Sequence, residues 1–324
     1  MKNFWEGKRV LVTGASGFIG SHVVDALVKM SAFVTAGISY TKPLKKAKRS
    51  FSSPLNRILL KRVNLLSIND CLKITKNIDI VLNFAALDGG HSFKEKHSAD
   101  IMRVNSQIAL NMLEASRQNS VERFLLMSSV EVYSSLSPLP LYDSYFSDKS
   151  TEKFTNGYIW SKQFSEILAK TYASDYKLKI AIARCGNVYG PRDDINKKRI
   201  ISTFISNALE GKDILILGNP SSKRSFLYIA DLLPALFNLV EKYSNCDPVN
   251  IASEQVISYK QLAKLVNNLV GSKSKVIEKN KPSKKSIHRI IDVGKAKKIL
   301  NFTENVSLVE GVTQTIDYFK NTKR

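Results

Sequence analysis

Short apolar runs alternate with segments of helical periodicity along the first 190 residues. In the helical segment 99–119, Ile101, Val104 and Ile108 recur at the spacing that puts apolar side chains on one helix face. Repeated strand–helix units predict a parallel, doubly wound sheet. The predicted strands are 10–13, 33–39, 57–63, 79–84, 124–127 and 178–183, and the predicted helices are 21–30, 67–76, 99–119 and 156–176.

Beyond residue 190 the alternation loosens, and no internal repeat is present. The short apolar segment 249–251 is expected to return to the main sheet. The lysine-rich stretch 271–285 predicts an exposed loop around one short strand. The other predicted elements are helices 200–209, 232–243, 259–270 and 308–319 and short strands 214–217 and 226–229.

A glycine-rich turn follows the first predicted strand and opens the first helix. Gly14 can take the tight turn, Gly17 leaves room for a pyrophosphate near the backbone, and Gly20 lets the helix pack closely on the strand. The N–H groups and positive dipole end of the helix then face the phosphates. The turn predicts a dinucleotide site, and an ordinary strand–helix turn whose glycines serve packing is the alternative.

The expected fold is therefore α/β, a Rossmann-type doubly wound parallel sheet with a smaller, discontinuous C-terminal substrate-binding domain. We assign residues 1–190 and roughly 226–253 to the dinucleotide-binding domain, and roughly 191–225 and 254–324 to the substrate-binding domain. Ligands of such sheets bind beyond the carboxyl ends of the strands. The polar motifs described next follow predicted strands.

Composition narrows the class of protein. With 324 residues, 44% of them hydrophobic, the chain can form one large or two modest domains. No apolar run reaches the length of a membrane helix, about 18 residues, and we expect neither a membrane partner nor a signal peptide. The 3 cysteines are scattered, without the spacing of a zinc site or a disulfide framework. This pattern predicts a cytoplasmic protein without a metal site.

The chain carries a net charge of +21, from 49 basic and 28 acidic residues. Most lysines are dispersed, and the denser runs are 42–49 and 273–285. Two interpretations stay open: a solvated lysine-rich surface, or a field that attracts a doubly charged nucleotide substrate. We see no RNA-stacking motif or zinc finger near either run, which disfavours a nucleic-acid partner.

Two stretches carry candidate chemistry. Tyr158 and Lys162 are four residues apart in a predicted helix, so both face the same way. A nearby ammonium favours tyrosinate, which can take a proton from a hydroxyl as hydride leaves its carbon.

The second stretch follows the fifth predicted strand. Ser128 and Ser129 close this strand, where a hydroxyl can bond a substrate hydroxyl or ketone, or cap the strand end. Glu131 is a candidate base for proton abstraction beside a ketone, or a surface glutamate.

Together these stretches resemble the extended short-chain dehydrogenase/reductase superfamily, in its NAD(P)-dependent nucleotide-sugar epimerase/dehydratase branch. The resemblance covers essentially the whole chain. It rests on the segments 13–20 and 83–86, Asn105, Ser128 with Ser129, Tyr158 with Lys162, the segments 184–192 and 224–231, and Arg289 near Asp292.

The resemblance implies a role for each matching residue. The residues expected along the cofactor are Gly14, Gly17, Phe18, Ile19, Gly20, Asn64, Leu65, Ala85, Ala86, Tyr158 and Lys162. Ser129, Tyr158 and Lys162 match the catalytic serine, tyrosine and lysine. Asn187 is expected to touch the sugar or its phosphates, and Arg224 and Arg289 to grip the substrate diphosphate. The two long helices resemble those of a four-helix dimer interface, which implies a homodimer.

Three departures from the family pattern keep alternatives open. The second strand ends without the acid that usually binds the ribose hydroxyls of NAD, and Lys42 follows; the cofactor is NAD or NADP, and this pattern favours NADP. The triplet 129–131 keeps the glutamate of 4,6-dehydratases, but Val130 cannot donate a proton. The loop 87–93 resembles one in GDP-mannose 3,5-epimerases and GDP-fucose synthases, so His91 is a candidate substrate contact or an ordinary loop histidine.

The principal hypothesis is an enzyme that oxidises a nucleotide-diphospho-sugar at carbon 4 through Tyr158. The keto intermediate is then epimerised, or dehydrated with Glu131 as base. An NADPH-dependent nucleotide-4-ketosugar reductase is the nearest alternative. A non-catalytic cofactor-binding or RNA-associated scaffold is the alternative from another class, since a fold by itself does not establish activity.

Overall fold

A seven-stranded sheet forms the centre of the computed structural model, which describes residues 3–133, 137–145, 156–279 and 288–322. Its strands are β1 (Arg9–Thr13), β2 (Phe33–Ser39), β3 (Ile58–Val63), β4 (Ile80–Asn83), β5 (Arg123–Ser129), β6 (Lys179–Cys185) and β10 (Val249–Ile251). They lie in the order β10-β6-β5-β4-β1-β2-β3, and all neighbours are parallel. The order reverses between β1 and β4, so a crevice opens at the carboxyl ends of these two strands.

Two small sheets lie outside the main one. One has the order β11-β9-β7 and the other pairs β12 with β8. These strands are β7 (Asn187–Tyr189), β8 (Ile214–Ile216), β9 (Lys223–Tyr228), β11 (Val256–Ser258) and β12 (Val276–Glu278). Because β7 begins two residues after β6 ends, the chain passes directly from the main sheet into the three-stranded sheet.

Helices cover both faces of the main sheet, as the alternation of its core residues shows. Val10 and Val12 belong to one buried apolar cluster, whereas Leu11 and Val81 belong to a second. Successive strand residues point to opposite faces, so each face has its own core. The helices are α1 (Phe18–Lys29), α2 (Leu44–Lys48), α3 (Ile68–Thr75), α4 (His91–Lys96), α5 (Ser98–Gln118), α6 (Gly157–Tyr176), α7 (Ile200–Leu209), α8 (Ile229–Lys242), α9 (Tyr259–Val270), α10 (Gly294–Leu300) and α11 (Leu308–Thr322).

The predicted doubly wound α/β fold is confirmed, and segment 249–251 returns to the main sheet beside β6. Some boundaries were wrong. The first helix begins at Phe18 rather than at residue 21, and Ile229 begins α8 rather than ending a strand. An unbroken apolar run does not mark where backbone hydrogen bonding changes from strand to helix. The short helices α2 and α4 were missed because they lack apolar periodicity. Residues 280–285 of the predicted loop lie outside the described ranges.

In the described part of the chain, none of the helices combines the length and apolarity that a membrane crossing requires.

Candidate active site

The glycine-rich turn lies against the loop that follows β4. Gly14 has φ +61°, and a Cβ there would lie 2.9 Å from the backbone of Phe84 and Ala85. A Cβ on Gly20 would collide with the carbonyl oxygen of Gly14. Glycine is therefore required at both positions. Gly17 precedes α1 and provides no side-chain cap, so the first N–H groups of this helix face the crevice without a capping side chain.

Other predicted cofactor residues lie at neighbouring strand ends. The Ala85 N–H donates to Thr13 Oγ1 at 3.2 Å, which joins the ends of β1 and β4. At the end of β3, Asn64 Oδ1 accepts from the Leu66 N–H at 3.2 Å. The Leu65 carbonyl accepts from Asn111 Nδ2 at 2.9 Å. These bonds fix the backbone at the carboxyl ends of β1, β3 and β4.

Ser129, Tyr158 and Lys162 meet at the carboxyl end of β5. The Ser129 side chain hydrogen-bonds Tyr158, and Lys162 Nζ lies 5.7 Å from the centroid of the Tyr158 ring. Lys162 Nζ also donates to the Met127 carbonyl at 2.6 Å. Burial raises the pKa of Tyr158 above its usual value, and it lowers the pKa of Lys162 to about 8. The predicted helix spacing thus brings both side chains to one strand end.

Lys94 is a site residue that sequence reasoning missed. Its Nζ lies 3.5 Å from the centroid of the Tyr158 ring. It forms ion pairs with Glu131 Oε1 at 3.0 Å and Asp88 Oδ1 at 3.4 Å. Burial lowers the pKa of Lys94, but Tyr158, Glu131 and Asp88 outweigh burial and raise it above the usual value. No motif marks this lysine among the 49 basic residues of the chain.

The ion pairs continue away from Tyr158 into the segment before α7. Arg199 Nη2 lies 3.0 Å from Asp88 Oδ2, and Arg199 Nη1 pairs with Asp193. Lys197 Nζ donates to the Asp88 carbonyl at 2.7 Å. Burial opposes ionisation of Asp88, yet Lys94 and Arg199 hold the pKa of its carboxyl below the usual value. The loop between β4 and α4, which carries Asp88, is therefore joined by charged contacts to the segment between β7 and α7.

Predicted substrate-binding residues gather beside Glu131. Arg289 Nη1 donates to the Val130 carbonyl at 3.1 Å. The Arg224 guanidinium lies 5.7 Å from the centroid of the Tyr259 ring, and it interacts with the charges of Arg289 and Glu131. Asn187 Nδ2 donates to the carbonyl of Ser225, the residue after Arg224. Two guanidinium groups near one another form a suitable place for phosphate oxygens.

A family model, the NAD dependent epimerase/dehydratase family, matches residues 10–252. The chain belongs to this family. It is an enzyme family of the extended short-chain dehydrogenase/reductase type, as the resemblance of the motifs predicted.

Curated relatives of this epimerase/dehydratase family member differ in reaction. A Streptomyces dTDP-4-dehydro-6-deoxy-D-allose reductase is 32% identical over 99% of this chain and 98% of the relative. A UDP-N-acetyl-alpha-D-glucosaminuronate decarboxylase from Bacillus cytotoxicus is 30% identical over 97% of this chain and 98% of the relative. Among solved structures, a Thermotoga maritima UDP-glucose 4-epimerase has TM-score 0.86 and 25% identity, covering 97% of this chain and 99% of that one.

The epimerase/dehydratase fold does not bring two of the earlier candidates to Tyr158. The Ser128 hydroxyl bonds the buried carboxylate of Glu166, which pairs with Arg184 at 2.7 Å. Ser128 therefore supports the buried end of β5. His91 is the first residue of α4, with its side chain 88% exposed and its Nε2 3.3 Å from Glu95. The start of α4 places this imidazole at the surface.

The residues present fit the dinucleotide that the epimerase/dehydratase family uses. A Cβ at Gly14 or Gly20 would collide with neighbouring backbone, so the tight turn from β1 into α1 needs glycine at both positions, and the N–H groups at the start of α1 are free of side-chain caps. Both features suit a pyrophosphate.

Proposed function

We propose that the enzyme transfers hydride at carbon 4 of a nucleotide-diphospho-sugar, with Tyr158 as the acid–base group. The grouping of Ser129, Tyr158 and Lys162 at one strand end carries this proposal. The sugar diphosphate is assigned to Arg224 and Arg289, whose guanidinium groups are close enough to interact.

Each side chain has a distinct part in the proposed reaction. Bound NAD or NADP supplies the hydride acceptor or donor. The phenol oxygen of Tyr158 takes the proton of the sugar hydroxyl or returns it to the ketone oxygen, a role worth about 10²–10⁴-fold in rate. The Ser129 hydroxyl orients the same sugar oxygen. Lys162 favours the phenolate.

The surroundings of Glu131 disfavour dehydration. Its carboxylate is ion-paired with Lys94 at 3.0 Å, so it is less available to remove a proton from carbon 5. The preceding residue, Val130, is buried and has no proton to give to a leaving hydroxyl. We infer that the keto sugar is epimerised at carbon 4 rather than dehydrated.

Net reduction of a nucleotide-4-ketosugar is the second candidate. The Streptomyces reductase, 32% identical over almost the full length of both chains, favours it. The same Tyr158 phenol then acts as acid, giving its proton to the ketone oxygen while reduced cofactor is consumed.

Proton NMR with a panel of UDP-, GDP-, dTDP- and CDP-sugars, and with the 4-keto-6-deoxy derivative of the dTDP sugar, separates these reactions. Changed ring couplings at carbon 4 without consumption of cofactor indicate an epimerase. Oxidation of NADPH with loss of the ketone indicates a reductase. A new carbon 6 methyl doublet from a hexose indicates a dehydratase and contradicts our inference about Glu131. No change with any sugar contradicts the proposed function for those substrates.

We further propose that NADP is preferred to NAD. No acid stands at the end of β2, and Lys42 Nζ donates to the Ser16 carbonyl in the glycine-rich turn at 2.8 Å. A cation there suits a 2′-phosphate. Calorimetry of both cofactors is expected to give tighter binding of NADP, and Lys42→Ala should weaken NADP more than NAD. Equal binding of the two cofactors by the unmodified protein contradicts this preference.

We also propose a homodimer formed through α5 and α6. These helices pack side by side and carry exposed apolar side chains, Leu110 at 38% and Ile167 at 50% exposure. Pairing two copies through this face would cover both side chains.

A further inference from the structure

Two ammonium groups, from two different elements, approach the ring of Tyr158. Lys162 comes from α6, the helix of Tyr158 itself, and its Nζ is 5.7 Å from the ring centroid. Lys94 comes from α4, and its Nζ is 3.5 Å from the same point. An ammonium at this distance interacts favourably with the electrons of an aromatic ring, and more strongly with a phenolate.

We propose that Lys94 is a positioning residue that keeps a positive charge against Tyr158 and thereby favours its phenolate form. This inference rests on the proposed function only in taking Tyr158 as the acid–base group.

The contacts of Lys94 keep its charge in place. Its side chain is only 15% exposed and is held by the carboxylates of Glu131 and Asp88. These groups raise its pKa above that of a free lysine. Lys162 differs, because its Nζ donates to a neutral carbonyl and burial lowers its pKa to about 8. As the pH rises above 8, Lys162 loses its charge while Lys94 keeps its own.

The charged neighbours of Tyr158 determine the direction in which its pKa shifts when the Lys94 charge is removed. Burial raises the pKa of Tyr158, Lys94 lowers it, and the carboxylates of Asp88 and Glu131 raise it. Removing the Lys94 charge removes an attraction for the phenolate and leaves those carboxylates less compensated, so both changes raise the pKa. Further out, Arg199 faces Asp88, Arg224 faces Glu131, and Cys185 and Glu166 face Lys162.

The test measures ionisation at position 158 without a sugar. A difluorinated tyrosine is placed at position 158 of the full chain, NADP is bound, and the fluorine NMR shift is followed from pH 5 to pH 10. In Lys94→Met and Lys94→Gln we expect the phenol pKa to rise by about one unit or more. Lys94→Arg should restore the parent titration. Lys96→Met, an exposed lysine on the same helix, should leave it unchanged.

The glutamine variant separates charge from structure. Glutamine keeps an N–H donor for Glu131 but has no charge. If Lys94 only ties α4 to Glu131, Lys94→Gln should titrate like the parent, and that result overturns the proposal. Superimposable curves for the parent, Lys94→Met and Lys94→Gln, including curves that show no titration in any of them, also overturn it.

Once a sugar substrate has been found, the pH dependence of kcat supplies a second readout. In Lys94→Gln the acid limb of the kcat profile should move to higher pH by the same amount as the fluorine titration, with KM unchanged. A changed KM with an unmoved acid limb contradicts the proposal. Because the fluorine titration needs no substrate, absence of turnover would count against the proposed function alone.

Discussion

The phenol of Tyr158 lies where a hydroxyl, an ammonium and two carboxylates meet. Ser129 bonds it, Lys94 covers its ring, and Asp88 and Glu131 lie beyond the ammonium. Replacing the phenol by a phenyl ring removes the oxygen to which we assign proton transfer but keeps the aromatic surface that Lys94 contacts. The role of the oxygen can therefore be tested separately from the packing of the ring.

Tyr158→Phe is expected to lower kcat by about 10²–10⁴-fold, the usual worth of a general acid–base group, with little change in cofactor affinity. Steady-state kinetics and cofactor titration measure the two effects. Tyr172→Phe is the control, because Tyr172 lies on the same helix and its hydroxyl donates to Glu114 at 3.0 Å, away from the site. Undiminished turnover by Tyr158→Phe would contradict the assigned role.

Asn105 holds the backbone of the loop that bears Asp88. Its Oδ1 accepts from the Leu87 N–H at 2.7 Å and its Nδ2 donates to the Leu87 carbonyl at 3.1 Å. Asn105→Ala leaves both groups unpaired, and we expect it to lower the free energy of unfolding by about 1–3 kcal/mol and to lower kcat. Denaturant titration and kinetics measure these losses. Gln118→Ala, an exposed change on the same helix, should cost little; a similar loss there would argue against a specific role for Asn105.

At the scale of elements, the start of α6 sets where Tyr158 lies. The Gly157 N–H donates to Ser98 Oγ at 2.7 Å, which ties the start of α6 to that of α5. A Cβ at Gly157 would overlap the Ser98 carbonyl. The close approach of the two helices therefore depends on this glycine.

Gly157→Ala is expected to lower stability by about 1–3 kcal/mol, because an added methyl group must push α5 and α6 apart. It should also lower kcat by displacing Tyr158. Gly294→Ala is the matched control: it too lies in the first turn of a helix, but its Cβ would meet nothing closer than 3.4 Å. Equal melting temperatures for the two variants would show that the helix pair tolerates the methyl group.

At the scale of the whole molecule, the net charge bears on how the protein encounters anionic substrates. The exposed face of α5 and α6 bears on whether two copies associate. A charge of +21 favours encounter with anionic nucleotide sugars, and salt weakens this attraction. In the homodimer that we propose, the exposed apolar residues of α5 and α6 would be buried, which removes apolar surface from water.

Ile167→Glu is expected to convert the proposed dimer to a monomer, because it buries a charge in an apolar interface. Light scattering coupled to size-exclusion chromatography measures the mass. Leu217→Glu is the control, since Leu217 is 69% exposed but lies after β8 in another part of the fold. A parent protein that is monomeric, or a monomer produced by Leu217→Glu instead, would contradict the proposed interface.

The sequence by itself determined the features that depend on local spacing. The alternation of apolar runs and helical segments predicted the doubly wound sheet, because burial on both faces needs such runs. The glycine-rich turn could be recognised because the close backbone contacts at Gly14 and Gly20 leave no room for a Cβ, so the sequence must have glycine there. Tyr158 and Lys162 could be paired because residues four apart share a helix face.

Only the tertiary structure decided which distant charges meet. Lys94 and Glu131 are 37 positions apart, and Asp88 and Arg199 are 111 positions apart. No periodicity links such residues, and the chain has many lysines and arginines that would look the same. Which of them form ion pairs depends on the exact positions at which strands end and loops turn. The side chains around the phenol of Tyr158 are set by this packing, because Coulomb attraction acts through distance in space rather than distance along the chain.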